Sequence, residues 1–351
     1  MNGLSTPSTS NLSGHERRSG TCRTYNCRIC GAERDFPTYT VREMMFGTRE
    51  EFVYFQCDAC GCLQIADIPS DLPRHYPSDY YSQHTEPARI ESRGVRSAVI
   101  KHYCRRVALN PQGFYPRLLH KILAAPSDFH EVGEFLQNAR LNCADDAILD
   151  VGCGASPKRL AAMRRCGFGN VLGIDPFLPG DTTYCGVPVK RCRLEDLDGQ
   201  FSLIMFHHSL EHVPDPLATL AVAARLLLPG GMCLIRIPVM DTFFWREFGC
   251  DWAELDAPRH LYLMAPRTVE TLADRAGFTL EAVDFDSSGW ELAASDLYRN
   301  DVPMFERTDS GLKSNVAGVS STAAFKFEQQ ALALNKAGDS GRARFYLRLR
   351  S

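Results

Sequence analysis

Residues 147–159, AILDVGCGASPKR, constrain this chain most, because they open an alternation of strand and helix patterns that runs to its end. Ile148, Leu149 and Val151 make a short apolar run of buried-strand type, and Gly152, Gly154, Ser156 and Pro157 then turn the chain sharply into a helix. Glycines at such a turn let backbone approach a ligand where a Cβ would collide, and the helix start offers free N–H groups. Pro157 opens the helix, Ser156 is placed as its N-cap and Gly167 stops it.

The alternation predicts an α/β fold with a largely parallel sheet. After the first strand, others are expected at 171–174, ending in Asp175, and at 187–192, followed by a turn carrying Glu195. Further strands are expected at 201–206, 232–237, 278–285 and 345–349. Asp215-Pro216 caps a helix whose Leu217, Leu220, Ala221, Ala224, Leu227 and Leu228 recur at helical spacing, and Pro229-Gly230-Gly231 ends it. Helices also fall at 266–276 and 322–336, while 243–262 reads as irregular and aromatic and 287–320 as mixed.

Ahead of this domain stand two knuckles, Cys27-Arg28-Ile29-Cys30-Gly31 and Cys57-Asp58-Ala59-Cys60-Gly61. Each folds two thiolates onto one side of a tight turn, and two knuckles complete a tetrahedral sulfur site, a structural Zn2+ ribbon over residues 21–68. Cys22 and Cys62 lie close enough to be substitute ligands. Residues 69–140 read as a Tyr-rich loop, with His75, Tyr76, Tyr80, Tyr81 and His84, and a helical linker of two basic amphipathic helices, 96–107 and 115–123. Tyr80 and Tyr81 are candidates to cover a substrate; a loop docking on its neighbour is the competing reading. Residues 1–20 read as a disordered polar tail, and 141–351 as the main domain.

Bulk properties narrow the function classes. Fourteen cysteines with no apolar leader point to a reducing, cytoplasmic compartment. No apolar run is long enough to span a bilayer, and 39 basic against 42 acidic residues give no global bias toward nucleic acid.

Asp175 lies roughly 20 residues beyond the glycine turn, where a carboxylate accepts both hydroxyls of a ribose. That spacing suits a nucleoside-bearing cofactor. The order of parts then discriminates: Asp150 lies inside the first strand, the turn is GxG rather than GxGxxG, and the strand at 201–206 ends in an acid/base cluster followed by a helix and PGG. On ILDVGCG, GID, FHHSLEHVPDP and LLLPGG, residues 146–285 resemble the class I S-adenosylmethionine-dependent methyltransferases. The resemblance implies a doubly wound, seven-stranded, mostly parallel sheet whose last strand, 345–349, is antiparallel. It also implies cofactor contacts from Asp150, Gly152, Gly154, Ser156, Asp175, Glu195 and His207, with Ser156 standing where the family's third glycine is usual. The ribbon, the Tyr-Tyr loop, the LDAPRHLY segment at 255–262 and the NKAGD tail at 335–339 look like zinc-ribbon methyltransferases of deoxysugar, polysaccharide and natural-product biosynthesis. That likeness implies a small-molecule acceptor such as a sugar nucleotide.

Methyl transfer is an in-line displacement that needs near-attack geometry and removal of one proton. His208 is the favoured base, with Glu211 and His212 next on the same turn and His260 as an alternative from the irregular segment. Each competes with a plain hydrogen-bonded wall, and Arg259 with a packing role instead of an anion clamp. Two other functions are compatible with these parts: an RNA base methyltransferase reading RNA through the ribbon, and a non-catalytic cofactor binder. The charge balance and the lack of an Asn/Asp-Pro-Pro-aromatic tetrad count against RNA. The expected setting is a monomer or homodimer with a small-molecule acceptor, no nucleic acid and no membrane.

Overall fold

A computed structural model describes residues 23–77, 94–109, 127–308 and 311–350. Tyr80, Tyr81, Cys22 and the helix expected at 115–123 lie outside them. The chain begins with an antiparallel pair, β1 (Thr24–Asn26) and β2 (Glu33–Asp35), followed by β3 (Thr38–Arg42), β4 (Glu51–Gln56) and β5 (Leu63–Ile65). Helices α1 (Val95–Leu109) and α2 (Ser127–Ala139) then pack on each other through Tyr103, Cys104, Phe135 and Leu136.

The main domain runs β6 (Ile148–Val151), α3 (Lys158–Arg165), β7 (Val171–Ile174), β8 (Thr182–Tyr184), β9 (Val187–Lys190), β10 (Phe201–His207) and α4 (Pro216–Leu226). It continues with β11 (Leu227–Pro238), α5 (Phe243–Phe248), β12 (Tyr262–Leu263), α6 (Pro266–Arg275) and β13 (Phe278–Phe285). It closes with α7 (Gly289–Arg299), the hairpin β14 (Phe305–Thr308) and β15 (Gly311–Ser314), α8 (Ser321–Ala337) and β16 (Arg342–Leu349). The sheet order is β13-β16-β11-β10-β6-β7-β9-β8. β6, β7, β9, β10 and β11 pair in parallel, and β16 lies antiparallel between β11 and β13, as the resemblance implies.

The sheet has eight strands where seven are expected. The additional one, β8, turns back onto β9 through Cys185 and Gly186, both at positive φ, the backbone that a two-residue hairpin requires. α3 begins at Lys158 with Pro157 at its N-cap and no side-chain cap bond, so Ser156 does not cap this helix. Pro229-Gly230-Gly231 falls inside β11 rather than at a helix end.

Side chains alternate across β10: Leu203 and Met205 face the core under α1, α2 and α3, whereas Ile204 and Phe206 face the opposite core. That second core continues into the ribbon through Tyr54, Phe55, Leu63 and Ile65. The continuity is also one of hydrogen bonding, because β12 adds to β5 and makes a four-stranded antiparallel sheet, β12-β5-β4-β3. Among the described residues, no helix is long and apolar enough to cross a membrane.

Candidate active site

Strand order reverses between β6 and β10, and a parallel sheet opens a crevice at the carboxyl ends of the strands at such a point. There the two strands deliver Asp150 and the glycine turn on one side and His207 and His208 on the other, lining a cleft of about 500 Å³. Gly152 has φ +73°, and a Cβ there would lie 2.6 Å from Ser209 Cβ, so the turn tolerates no side chain without displacing the β10 loop. Gly154 N–H donates to Asp175 Oδ2 at 3.1 Å, and Phe177 N–H donates to Oδ1 at 2.9 Å. Asp175 thereby ties the glycine turn to the end of β7. Glu195 sits exposed on the turn Leu194–Asp196 and does not line the cleft.

Buried polar atoms mark what the cleft suits. Asp150 Oδ1 and both ring nitrogens of His207 are buried without a hydrogen-bond partner. Burial pushes the Asp150 carboxyl up to about 7, against the opposing charge of Arg159. A carboxyl held this way gains from a cationic ligand, and the cradle, Asp175 and the orphaned acceptors fit S-adenosylmethionine.

His208 adopts a left-handed backbone, φ +52°, uncommon for a residue with a side chain and of the kind stored at working sites. Its Nε2 lies 2.7 Å from Arg236 Nη1 and must accept from it, which leaves the imidazole proton on Nδ1, 3.4 Å from Glu211 Oε1. Burial and the Arg236 charge hold the His208 pKa well below the usual range. The favoured base therefore has its only lone pair engaged by a cation. Arg236 in turn donates to Asp286 at 2.6 Å. Cleft residues that escape the sequence reading include Phe135, Arg159, Arg236, Asp286 and Arg344, although a lone arginine inside the apolar run MCLIRIP is a signal for Arg236.

Behind His208 lies a second cluster. Glu211 is fully buried, neither carboxylate oxygen has a hydrogen-bond partner, and burial pushes its pKa well above the usual range. His260 Nε2 lies 3.9 Å from Glu211 Oε1, and its Nδ1–H donates to Glu254 O at 2.7 Å. His212 Nδ1–H donates to Arg259 O at 2.8 Å, with the Tyr76 hydroxyl 3.3 Å away, and burial pushes its pKa down to about 3. Of the four proposed catalytic side chains, only His208 lines the cleft itself.

Arg259 is fully buried and points away from this cleft. It donates to Glu43 at 2.8 Å, to Asp256 at 2.6 Å and to His75 O at 3.0 Å, and its guanidinium lies over the Phe46 ring. With its donors on protein groups, Arg259 is a packing anchor here and not an anion clamp.

The four ribbon cysteines converge. Cys27 and Cys60 Sγ are 3.7 Å apart, Cys30 and Cys57 Sγ 3.6 Å, and all four lie within 4.8 Å of one another. A tetrahedron with bonds of about 2.3 Å has edges of about 3.8 Å, so this donor set fits zinc. Gly31 and Gly61 close matching turns by donating to Cys27 O and Cys57 O. Cys62 points its thiol at Leu63 O instead, outside the group.

Residues 113–283 match the sequence model of a family described as a methyltransferase domain. Curated relatives include the ubiquinone biosynthesis O-methyltransferase of Psychrobacter arcticus, 29% identical over 170 residues, which are 42% of this chain and 64% of that protein. The enzyme of the same name from Xanthomonas oryzae pv. oryzae is 37% identical over 106 residues, 27% of this chain and 44% of its own. The chain thus spans less than two thirds of the length of the relatives it matches. A solved S-adenosylmethionine-dependent methyltransferase from Archaeoglobus fulgidus aligns over 67% of this chain and 100% of its own at 16% identity, with a TM-score of 0.40.

Proposed function

We propose, from the match of residues 113–283 to a methyltransferase-domain family, that the chain transfers a methyl group from S-adenosylmethionine to a small-molecule acceptor. The observation that carries this reading is the cleft at the strand-order reversal, which sets a nucleoside-type cradle beside a cluster of buried proton-transfer groups. S-adenosylmethionine supplies an electrophilic methyl carbon on a sulfonium. Gly152, Gly154 and Asp175 shape the cradle, Asp150 and His207 offer unengaged acceptors, and Ser156 and Pro157 line its floor. Glu211 is the proposed proton acceptor: burial raises its proton affinity, and because it lies behind His208 and outside the cleft lining, the His208 side chain must move aside for the acceptor to reach it. His208 Nδ1 and His260 Nε2 flank it at 3.4 and 3.9 Å.

The names of the relatives favour an oxygen acceptor, and the ribbon and LDAPRHLY segment favour a sugar nucleotide or natural-product intermediate. The reading extends to a reducing, cytoplasmic setting and to a monomer or homodimer. Incubation with methyl-labelled S-adenosylmethionine and panels of nucleotide sugars, phenols and RNAs, followed by mass spectrometry, tests the function. A labelled small molecule is expected; label in RNA alone, or in nothing, overturns it.

Two results follow from the side chains. Glu211→Gln is expected to lower kcat by about 10²-fold or more with cofactor Kd little changed; full activity would remove Glu211 as the proton acceptor. At about pH 6, S-adenosylmethionine binding is expected to release a proton, because a cation beside a carboxyl pushed up to about 7 favours its ionised form. Calorimetry in buffers of different ionisation enthalpy reads this release, and Asp150→Asn should abolish it; no proton exchange in the unmodified protein would place Asp150 away from the cation.

A further inference from the structure

Glu211, His212 and His260 form a group whose chemistry exceeds that of a base. One ligand atom from each can be chosen so that all three lie within 4.8 Å of one another. The two imidazoles come from distant segments, the turn Leu210–His212 after β10 and the loop before β12, and both are oriented in the same way. His212 gives its Nδ1–H to the Arg259 carbonyl at 2.8 Å, and His260 gives its Nδ1–H to the Glu254 carbonyl at 2.7 Å. A carbonyl oxygen only accepts, so both rings are fixed as neutral tautomers whose remaining lone pair is on Nε2. Donation of the other ring N–H to a backbone carbonyl is the arrangement that orients a metal-ligating histidine and raises its basicity.

The carboxylate completes the set. Glu211 is fully buried and neither of its oxygens has a hydrogen-bond partner, a costly state for a carboxylate unless a proton or a cation attends it. Asp256 Oδ2, 4.0 Å from His260 Nε2, adds negative charge on one side, while Arg259 is neutralised by Glu43 and Asp256 and Arg236 by Asp286. His212, unlike Glu211 and His260, is partly exposed.

We propose that Glu211, His212 and His260 bind a divalent first-row transition-metal cation, separate from the ribbon site. Two imidazole nitrogens and one carboxylate oxygen suit zinc, cobalt, iron or manganese in the divalent state better than magnesium or calcium, which prefer all-oxygen sites. Bonds of about 2.0–2.2 Å require the ligand atoms to close on the ion by roughly 1 Å. Occupancy and proton acceptance exclude each other at Glu211, so on the methyl-transfer reading an ion here slows turnover while cofactor affinity stays the same.

The binding test does not depend on that reading. Full-length protein with its ribbon zinc in place is titrated with Co2+, and bound cobalt is read by visible absorption and equilibrium dialysis. One further equivalent is expected, with the weak visible bands of nitrogen and oxygen ligation and without intense thiolate charge-transfer absorption. Glu211→Gln and His260→Ala are each expected to weaken uptake by at least about tenfold. Retained ribbon zinc and an unchanged far-ultraviolet circular dichroism spectrum certify that each variant is folded. Failure of the unmodified protein to take up the additional equivalent, or equal uptake by folded variants, overturns the site and leaves Glu211 as a carboxyl kept protonated by burial. Methyl-transfer activity is measured separately, so binding without activity would count against the functional reading alone.

Discussion

Cys57→Ser is expected to empty the ribbon of zinc and, although the knuckle lies outside the sheet that bears the cleft, to cost most of the methyl-transfer activity. The ribbon reaches the acceptor side through a short relay. Gln64 on β5 donates to Cys27 Sγ at 3.1 Å, and the same residue pairs with Tyr262 on β12. Arg28, inside the first knuckle, donates to the Tyr262 hydroxyl at 3.1 Å, and that hydroxyl donates to Pro214 O at 2.7 Å, just past the Glu211 turn. Tyr54 on β4 donates to the carbonyl of His260 at 2.9 Å. A structural zinc site contributes about 10–16 kcal/mol to folding in isolated zinc-finger peptides, so loss of one thiolate loosens every strand that leans on it. Metal content, thermal unfolding and methyl transfer on the same samples check the chain of effects, with cofactor affinity as the control, since the glycine turn touches none of these residues. Unchanged zinc would remove the ribbon assignment. Zinc lost with full activity would remove the relay.

Arg259→Met should destabilise the fold by about 3–5 kcal/mol at neutral pH, the usual consequence of leaving buried charges without their partner. Glu43 and Asp256 both depend on this guanidinium. Glu43 retains the Phe46 and Thr48 N–H donors, but Asp256 is left beside the buried His212 and His260 cluster. Burial alone would raise the Asp256 pKa; the Arg259 charge and hydrogen bonds outweigh it and hold the carboxyl below its usual range. A depressed carboxylate contributes stability above its unfolded pKa and loses it as the pH falls through the folded value. The gap between the two proteins should therefore narrow under acid, where removal of the cation matters less. Urea unfolding at neutral and acidic pH reads both. A stable variant with a raised KM would instead restore Arg259 as a substrate clamp.

What was legible in the sequence was local. The glycine turn and the strand ending at Asp175 follow from patterns a few residues long, the antiparallel setting of the last strand follows from the resemblance, and each appears where expected. The two CxxCG knuckles are equally local, since turn geometry brings each pair of thiols together before the fold does. Contacts between distant segments were not legible. Arg259 meets Glu43 216 positions away, and nothing in either neighbourhood announces the pairing. His208 loses its free lone pair to Arg236 on the adjacent strand, a matter of register that no periodicity encodes. β12 has two residues, too few for an alternation to be visible, yet it joins the ribbon to the main domain.

That two-residue strand decides what counts as a module in this molecule. Because β12 completes the ribbon's sheet from the far end of the chain, a chimera that exchanged residues 21–68 alone would leave an unpaired edge on β5 and a foreign surface against Tyr262 and the loop bearing His260. The graft that keeps its hydrogen bonds is discontinuous: the ribbon together with residues 255–263, moved as one piece. Recombination between relatives, in the laboratory or in evolution, has to carry both halves for the four-stranded sheet to stay paired.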